Sequence, residues 1–178
     1  MNSSEPPRGD LPDVREIINL LSLKPLPEEG GLFRETYRCE ELIPQNSLSQ
    51  RYCRDKSFST AIYYLLTPDA FSAMHRVASD EIFHFYLGDP VTMLQLHPDG
   101  GSEVHVLGPD IRAGHQPQCV VKRGTWQGTL LNPGGRYALM GCTVAPAFDP
   151  EDFELGNRAK LVRQYPDQAA LIEKLSAP

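Results

Sequence analysis

Basic runs, long apolar stretches and closely spaced cysteines are absent from this 178-residue sequence. Without a lysine- or arginine-rich segment, and with a formal net charge of −6, the chain is not expected to bind nucleic acid or an anionic membrane surface. No apolar stretch approaches the roughly 20 residues that a transmembrane helix needs. The first residues also lack the charged and apolar segments of a secretory signal. These absences predict a cytoplasmic protein.

The four cysteines are widely spaced and include no C-x-x-C pair: Cys39, Cys53, Cys119 and Cys142. In a cytoplasmic protein we expect them to remain thiols, and their spacing does not indicate a zinc or redox site. The chain is instead rich in turn formers, with 14 glycines and 16 prolines, which favours many short strands over a helical bundle.

Short strand-like segments separated by turns fill the middle of the chain. They cover residues 32–39, 59–67, 71–77, 82–87, 91–97, 103–107, 118–122, 125–131 and 137–144. Residues 40–57 are interpreted as a loop. Helices are predicted from near Leu11, with Asp10 as N-cap, and over 157–164 and 167–175. We expect a flexible tail at residues 1–10 and one mainly β domain, a sandwich or small barrel, over 11–178.

The most informative stretch runs from His75 to Gly88. His75 ends one predicted strand and Glu81 begins the next after a short polar turn. An antiparallel hairpin would therefore bring both side chains to the same end of the sheet. Strand alternation predicts that Glu81 and Phe83 share one face and that His84 lies on the other, unless a bulge intervenes.

These residues resemble the cupin superfamily, whose first motif is G-x5-H-x-H-x3-4-E-x6-G; His75, Glu81 and Gly88 match it. The chain is more specifically similar to the small single-domain cupin-5 type, long a domain of unknown function. That similarity covers about residues 12–175 and includes EGGLFRETYR at 29–38, TAIYYLL at 60–66, HRVASDEIFHFYLGDP at 75–90, GTWQ at 124–127 and GCTVAPAFDPEDFE at 141–154.

The resemblance implies a double-stranded β-helix, or jelly-roll barrel, with short terminal helices and a ligand cavity inside. It also implies a homodimer, with the segment at Phe33–Tyr37 as a candidate for exchange between subunits. Metal-binding cupins commonly use three histidines and a glutamate, of which only His75 and Glu81 are present here. Val77 and Gln127 occupy the positions of two missing histidines, so no cofactor is expected to be required, although a divalent metal on His75 and Glu81 is an alternative.

A histidine next to a carboxylate can act as a general base. By similarity to cupin isomerases and epimerases, we predict His75, Glu81 and Tyr137 as catalytic residues, with Tyr137 or Tyr63 as the acid. The predicted ligand-binding residues are Arg34, Tyr37, Thr60, Tyr63, His84, Trp126 and Gln127. Arg34 is suited to a phosphate or carboxylate and Trp126 to a sugar or base face. An Arg34 ion pair with Glu35 or Glu40 and a packing role for Trp126 are the structural alternatives.

The sequence therefore supports several hypotheses of different classes. The first is an isomerase or epimerase acting on a sugar phosphate or nucleotide-linked sugar. The second is a module that binds or senses a small anionic metabolite without converting it. A metal-dependent cupin enzyme is the third, and a purely structural role is the fourth.

Overall fold

Thirteen strands and three short α-helices form the part of the chain that the structure describes, residues 11–176 of a computed structural model. The helices are α1 (Val14–Leu21), α2 (Arg158–Gln164) and α3 (Ala169–Lys174). The strands are β1 (Lys24–Pro25), β2 (Leu32–Arg38), β3 (Leu42–Ile43), β4 (Lys56–Ser57), β5 (Thr60–Leu66), β6 (Ser72–Arg76), β7 (Asp80–Gly88), β8 (Val91–Leu96), β9 (Ser102–Leu107), β10 (Gln118–Val121), β11 (Trp126–Leu131), β12 (Ala138–Ala145) and β13 (Glu154–Leu155).

The strands form two large antiparallel sheets that face each other as a jelly roll. One sheet has the order β1-β2-β5-β12-β7-β10 and the other β13-β6-β11-β8-β9, while β3 and β4 form a separate hairpin. A buried apolar cluster joins the sheets, with Tyr64, Phe83 and Met140 from the first packed near Met93 and Leu131 from the second. This is the mainly β barrel that the sequence predicted.

The terminal helices cover the outer faces of the two sheets. Ile17 of α1 packs with Leu65 and Leu139, which point outward from the six-stranded sheet. Leu161 of α2 and Ile172 of α3 pack with outward-facing side chains of the five-stranded sheet. Among residues 11–176, no helix has the length and hydrophobicity that crossing a membrane requires.

All nine predicted strands are present, with ends within two residues of the predicted ones. The predicted start of the first helix was wrong. Its N-cap is Asp13, whose carboxylate accepts from the Glu16 amide at 2.9 Å, while the Glu16 carboxylate accepts from the Asp13 amide. Asp10 and the predicted tail at 1–10 lie outside the described residues. The predicted loop at 40–57 contains the β3–β4 hairpin.

Candidate functional site

A cavity of about 530 Å³ opens between the two sheets. That volume is within the range typical of small-molecule sites. Most of its wall is apolar, and the apolar lining consists of Leu26, Pro27, Phe33, Ile62, Val77, Phe83, Val144, Phe148, Pro150 and Phe153. The polar lining consists of Glu28, Glu29, Glu35, Arg38, Thr60, Tyr64, His75, Glu81 and Cys142.

Five side chains form what we call the polar cluster: Glu29, His75, Glu81, Gln127 and Cys142. All except Glu29 are at most 5% exposed. They come from both sheets, since His75 and Gln127 are paired across β6 and β11, whereas Glu81 lies on β7 and Cys142 on β12. The barrel therefore joins groups that are far apart in the sequence.

The hydrogen bonds of His75 define its tautomer. Its Nδ1 lies 2.8 Å from the Ala73 carbonyl, which can only accept, so Nδ1 carries a proton. Its Nε2 lies 2.8 Å from the side-chain nitrogen of Gln127, and this amide donates to it. The ring also stacks on Phe153, with ring centroids 5.1 Å apart. In this arrangement the lone pair of Nε2 is the basic position of the ring.

Gln127 links the two predicted catalytic residues. Its amide nitrogen donates to His75 Nε2 and also lies 3.4 Å from Glu81 Oε2. His75 and Glu81 are therefore joined by a bridge through Gln127. The structure brings all three residues together, and Gln127 is within the polar cluster as a positioning group.

Glu29 belongs to the site but is missing from the predicted site residues. It lies in the turn before β2, and its Oε1 accepts from the Ser72 hydroxyl at 2.9 Å. Its Oε2 is 3.9 Å from His75 Nε2. Gly30, which follows it, has φ +97°, and a Cβ there would collide with the Phe71 carbonyl. The shared family segment at 29–38, which begins with this glutamate, was the available signal.

Burial governs the ionisation of the polar cluster. Desolvation raises the pKa of Glu81 to about 7; nearby His75 lowers it and the charge of Glu29 raises it. Burial, together with the charges of Glu81 and Glu29, also raises the pKa of the Cys142 thiol well above its ordinary value. Cys142 is therefore a protonated thiol, whose sulfur lies 3.7 Å from Glu81 Oε1, rather than a nucleophilic thiolate.

A bulge in β2 determines which side chains reach the mouth of the cavity. Glu35 pairs with the inward-facing Ile62, but the register then shifts, so Tyr37 pairs with Ala61 and Arg38 with Thr60. Arg38 therefore enters the cavity lining and Tyr37 does not. The prediction that Tyr37 faces the ligand was wrong for this reason, and its side chain is 52% exposed.

The Arg38 guanidinium is already paired. It donates to Glu35 at 2.9 Å, to Asp149 at 3.3 Å and to the Phe148 carbonyl at 3.0 Å. The hydrogen bond to Glu35 is the main reason that the pKa of Arg38 is raised.

Residues 148–153, which we call the strap, contribute three of the lining side chains. Lys56 is 2% exposed and holds the strap through ion pairs with Asp149, at 2.6 Å, and with Asp152. Burial alone would lower the pKa of Lys56, but hydrogen bonds to the two aspartates reverse the effect and raise it. The predicted ligand-binding residue Thr60 lines the cavity and accepts from the Phe148 amide at 3.1 Å.

Three predicted site residues on the six-stranded sheet lie outside the cavity. Tyr63 points to the outer face, where the Arg34 guanidinium is 5.3 Å from its ring centroid. His84 also faces outward, 3.3 Å from both the Gln118 amide and the Thr143 hydroxyl. Alternation along β5 and β7 explains both positions, because their neighbours Ile62, Tyr64 and Phe83 line the cavity.

Tyr137 and Trp126 also lie outside the cavity. Tyr137 is 1% exposed and packs in the cluster beneath α1, on the outer side of the six-stranded sheet. The predicted role of Tyr137 as an acid in the cavity was therefore wrong. Trp126 packs beneath the C-terminal helices with the Arg76 guanidinium 4.4 Å from its ring centroid, in the structural role named as its alternative.

The residues at the metal position do not fit the three-histidine, one-glutamate set. Among residues 11–176, no three histidine, cysteine, aspartate or glutamate side chains converge as metal ligands. The Gln127 amide nitrogen, a donor, points at the basic nitrogen of His75. These residues therefore do not form a fitting set of metal ligands.

The chain is similar to a known protein family and to a yeast protein. The profile of the Cupin_5 family, described as "Cupin superfamily (DUF985)", matches residues 15–156. An uncharacterized Saccharomyces cerevisiae protein, YML079W, is 32% identical over 132 residues, which span 70% of this chain and 66% of the yeast protein, just under two thirds of its length.

Two solved structures superpose on nearly the whole chain. Protein SO0799 from Shewanella oneidensis has a TM-score of 0.83 and 32% identity, covering 94% of this chain and 99% of its own. A hypothetical protein from Leishmania major has a TM-score of 0.84 and 27% identity, covering 94% and 100%. With its jelly roll and a family match that extends over most of its length, this chain belongs to the cupin superfamily, in the Cupin_5 (DUF985) family.

Proposed function

We propose that the cavity binds a small carbonyl compound, and that residues of the cavity remove a proton from a carbon next to the carbonyl and later return it, as in an isomerase or epimerase. The candidate substrates are sugar phosphates and nucleotide-linked sugars. The observation that carries the proposal is the polar cluster, in which an imidazole with a defined basic nitrogen lies beside two carboxyl groups inside a cavity of suitable volume.

His75 is the proposed base. Its Nε2 gives up the hydrogen bond from Gln127, contacts a C–H next to the substrate carbonyl and removes the proton from that carbon. Glu81 is the proposed acid, because with a pKa of about 7 a large fraction carries a proton at neutral pH. It donates this proton to the carbonyl oxygen, which yields a neutral enediol. Return of the proton from His75 to the former carbonyl carbon, with the hydroxyl proton of the neighbouring carbon passing to Glu81, completes an isomerisation. An epimerisation requires in addition that the enediol turn its other face to His75 before the proton returns to the carbon that lost it.

Arg38, at the mouth, is the cation in the described cavity lining that a phosphate group can approach. The phosphate would have to compete there with Glu35 and Asp149 for the guanidinium. We therefore place a substrate phosphate at the mouth, with the reacting carbons at the polar cluster.

The test is proton exchange with solvent. The protein is incubated in D₂O with fructose 6-phosphate, ribulose 5-phosphate or a dTDP-linked 4-keto sugar, and deuterium incorporation next to the carbonyl is followed by NMR. Exchange is expected with at least one compound, and its loss in His75→Ala and Glu81→Gln. Glu173→Gln removes an exposed carboxylate on α3 and should exchange like the wild type. Exchange that survives in His75→Ala would reject His75 as the base.

A second candidate function is binding without conversion. It is favoured by the occupied state of His75 Nε2, which already accepts a hydrogen bond from Gln127. A compound that raises the melting temperature of the wild type but gains no deuterium supports this second function.

We also propose that two copies of the chain associate as a homodimer. Support comes from three aromatic side chains that are each about half exposed, Tyr37 on β2, Phe58 just before β5 and Tyr86 on β7. Light scattering coupled to size-exclusion chromatography measures the mass directly, and a mass near 19.9 kDa would reject the dimer.

A further inference from the structure

Two hydroxyl groups next to the polar cluster already donate their protons to protein acceptors. The Tyr64 hydroxyl donates to the Gly30 carbonyl at 3.0 Å. The Ser72 hydroxyl donates to Glu29 Oε1 at 2.9 Å. A hydroxyl has one proton to donate, so neither group has a second one for a ligand.

The same holds for the donors within the cluster. The Gln127 amide has two N–H groups and two partners, His75 Nε2 and Glu81 Oε2. The Cys142 thiol is directed at the other oxygen of Glu81. His75 donates through Nδ1 to a backbone carbonyl and has no proton on Nε2.

Acceptors, by contrast, are left over. Glu29 Oε2 has His75 Nε2 as its near neighbour at 3.9 Å, too far for a hydrogen bond and without a proton to donate. Gln127 Oε1 is fully buried and finds no hydrogen-bond partner within residues 11–176. Each Glu81 oxygen retains an unused lone pair. Acceptors that no protein donor fills favour a ligand that can donate a hydrogen bond to them.

The charges around the cavity also disfavour an anion at the polar cluster. Glu29 and Glu81 lie in the cluster, whereas Arg38, which lines the cavity, and Lys56, which holds the strap, are both paired with Asp149. Within residues 11–176, a ligand anion that reached the cluster would meet carboxylates, and the cation of the cavity lining is already paired.

We propose that the polar cluster selects the hydrogen-bond-donating end of a ligand, with a primary ammonium group preferred over a hydroxyl and both preferred over a carboxylate or phosphate. Three N–H donors of an ammonium match Glu29 Oε2 and the remaining lone pairs of the two Glu81 oxygens, and the aromatic side chains Phe33, Phe83 and Phe148 would pack against an apolar body. The inference relies on the cavity being the binding site proposed above, but it does not require proton transfer.

Three compounds with one body and different ends test this order: 2-phenylethylamine, 2-phenylethanol and phenylacetate. Binding to the full chain is measured by isothermal titration calorimetry at about pH 8, where the Glu81 carboxyl is mostly ionised. We expect the amine to bind at least about tenfold more tightly than phenylacetate, with the alcohol between them.

Matched variants locate the preference. Glu29→Gln keeps an oxygen for Ser72 and removes the charge, so the preference for the amine should fall about tenfold. Glu173→Gln removes one exposed charge away from the cavity and should leave the order unchanged. Circular dichroism confirms that each variant is folded.

Three results would overturn the proposal: phenylacetate binding as tightly as the amine, an amine preference unchanged in both Glu29→Gln and Glu81→Gln, or no binding of any of the three compounds. The proposed proton transfer fails separately, through absent deuterium exchange. An amine preference without exchange retains this inference and rejects the proposed enzyme. Exchange without an amine preference retains the proposed enzyme and rejects this inference.

Discussion

Replacing Glu81 with glutamine is expected to stabilise the protein above neutral pH, although it removes the proposed acid. The amide has nearly the shape of the carboxyl group but cannot ionise. Glu81 is 5% exposed, and its pKa is raised mainly by burial, to about 7. The folded protein therefore holds this proton more tightly than the unfolded chain, so deprotonation favours unfolding.

The expected size of this stabilisation follows from the pKa of Glu81 in the unfolded chain and in the folded protein. The ordinary value is 4.5 and the value in the folded protein is about 7. At about 1.4 kcal/mol for a tenfold change in proton affinity, the ionised carboxyl destabilises the folded state by roughly 3 kcal/mol. This stabilisation by the bound proton is complete below about pH 4.5, declines as the pH rises and is lost above about pH 7.

Urea unfolding measured between about pH 5 and pH 8 tests the prediction. The free energy of unfolding of Glu81→Gln minus that of the wild type should increase by about 2–3 kcal/mol over this range, since part of the full effect is already present at pH 5. The same difference for Glu173→Gln, an exposed site, should stay flat, because effects common to the whole chain cancel. Parallel profiles for the wild type and Glu81→Gln would refute a raised pKa for this carboxyl group.

Three further variants test the frame around the site by urea unfolding. Lys56→Met should cost about 3 kcal/mol, because it leaves Asp149 and Asp152 without their buried cation; no loss would mean that Lys56 does not hold the strap. Gly30→Ala should cost about 1–3 kcal/mol, since φ is +97° and the new methyl group meets a backbone carbonyl; unchanged stability would contradict this geometry. Tyr137→Phe removes a buried hydroxyl without a hydrogen-bond partner in the described residues, so it should change stability by less than about 1 kcal/mol and keep any deuterium exchange, and loss of exchange would restore Tyr137 as a catalytic residue.

The sequence predicted the strands well because apolar alternation and turn residues mark each one. It also predicted the faces of β7 correctly, with Glu81 and Phe83 inside and His84 outside. The direction of Tyr37 on β2 was predicted incorrectly because the bulge near Thr36 adds one residue, and nothing in the local pattern marks it. One unpredicted bulge was enough to exchange Tyr37 for Arg38 in the cavity lining.

Other parts of the site depend on contacts that alternation cannot predict. Gln127 pairs with His75 across two strands that are about 50 residues apart in the chain, and the Gln127 bridge follows from that pairing. Glu29 lies in a turn, where strand parity gives no direction for its side chain. Tyr137 differs, because alternation along β12 back from the inward-facing Cys142 already places it on the outer face.

The polar cluster reduces the stability of the fold, so its presence calls for a ligand or a reaction to explain it. An ionised Glu81 costs roughly 3 kcal/mol above neutral pH. A buried acceptor without a partner, such as Gln127 Oε1, costs about 1–3 kcal/mol more. Apolar residues of similar volume would avoid both costs, and such uncompensated groups are expected at functional sites. A purely structural role makes a different prediction from ours: Glu81→Gln would be stabilised above neutral pH, and amine binding and deuterium exchange would not differ between the variant and the wild type.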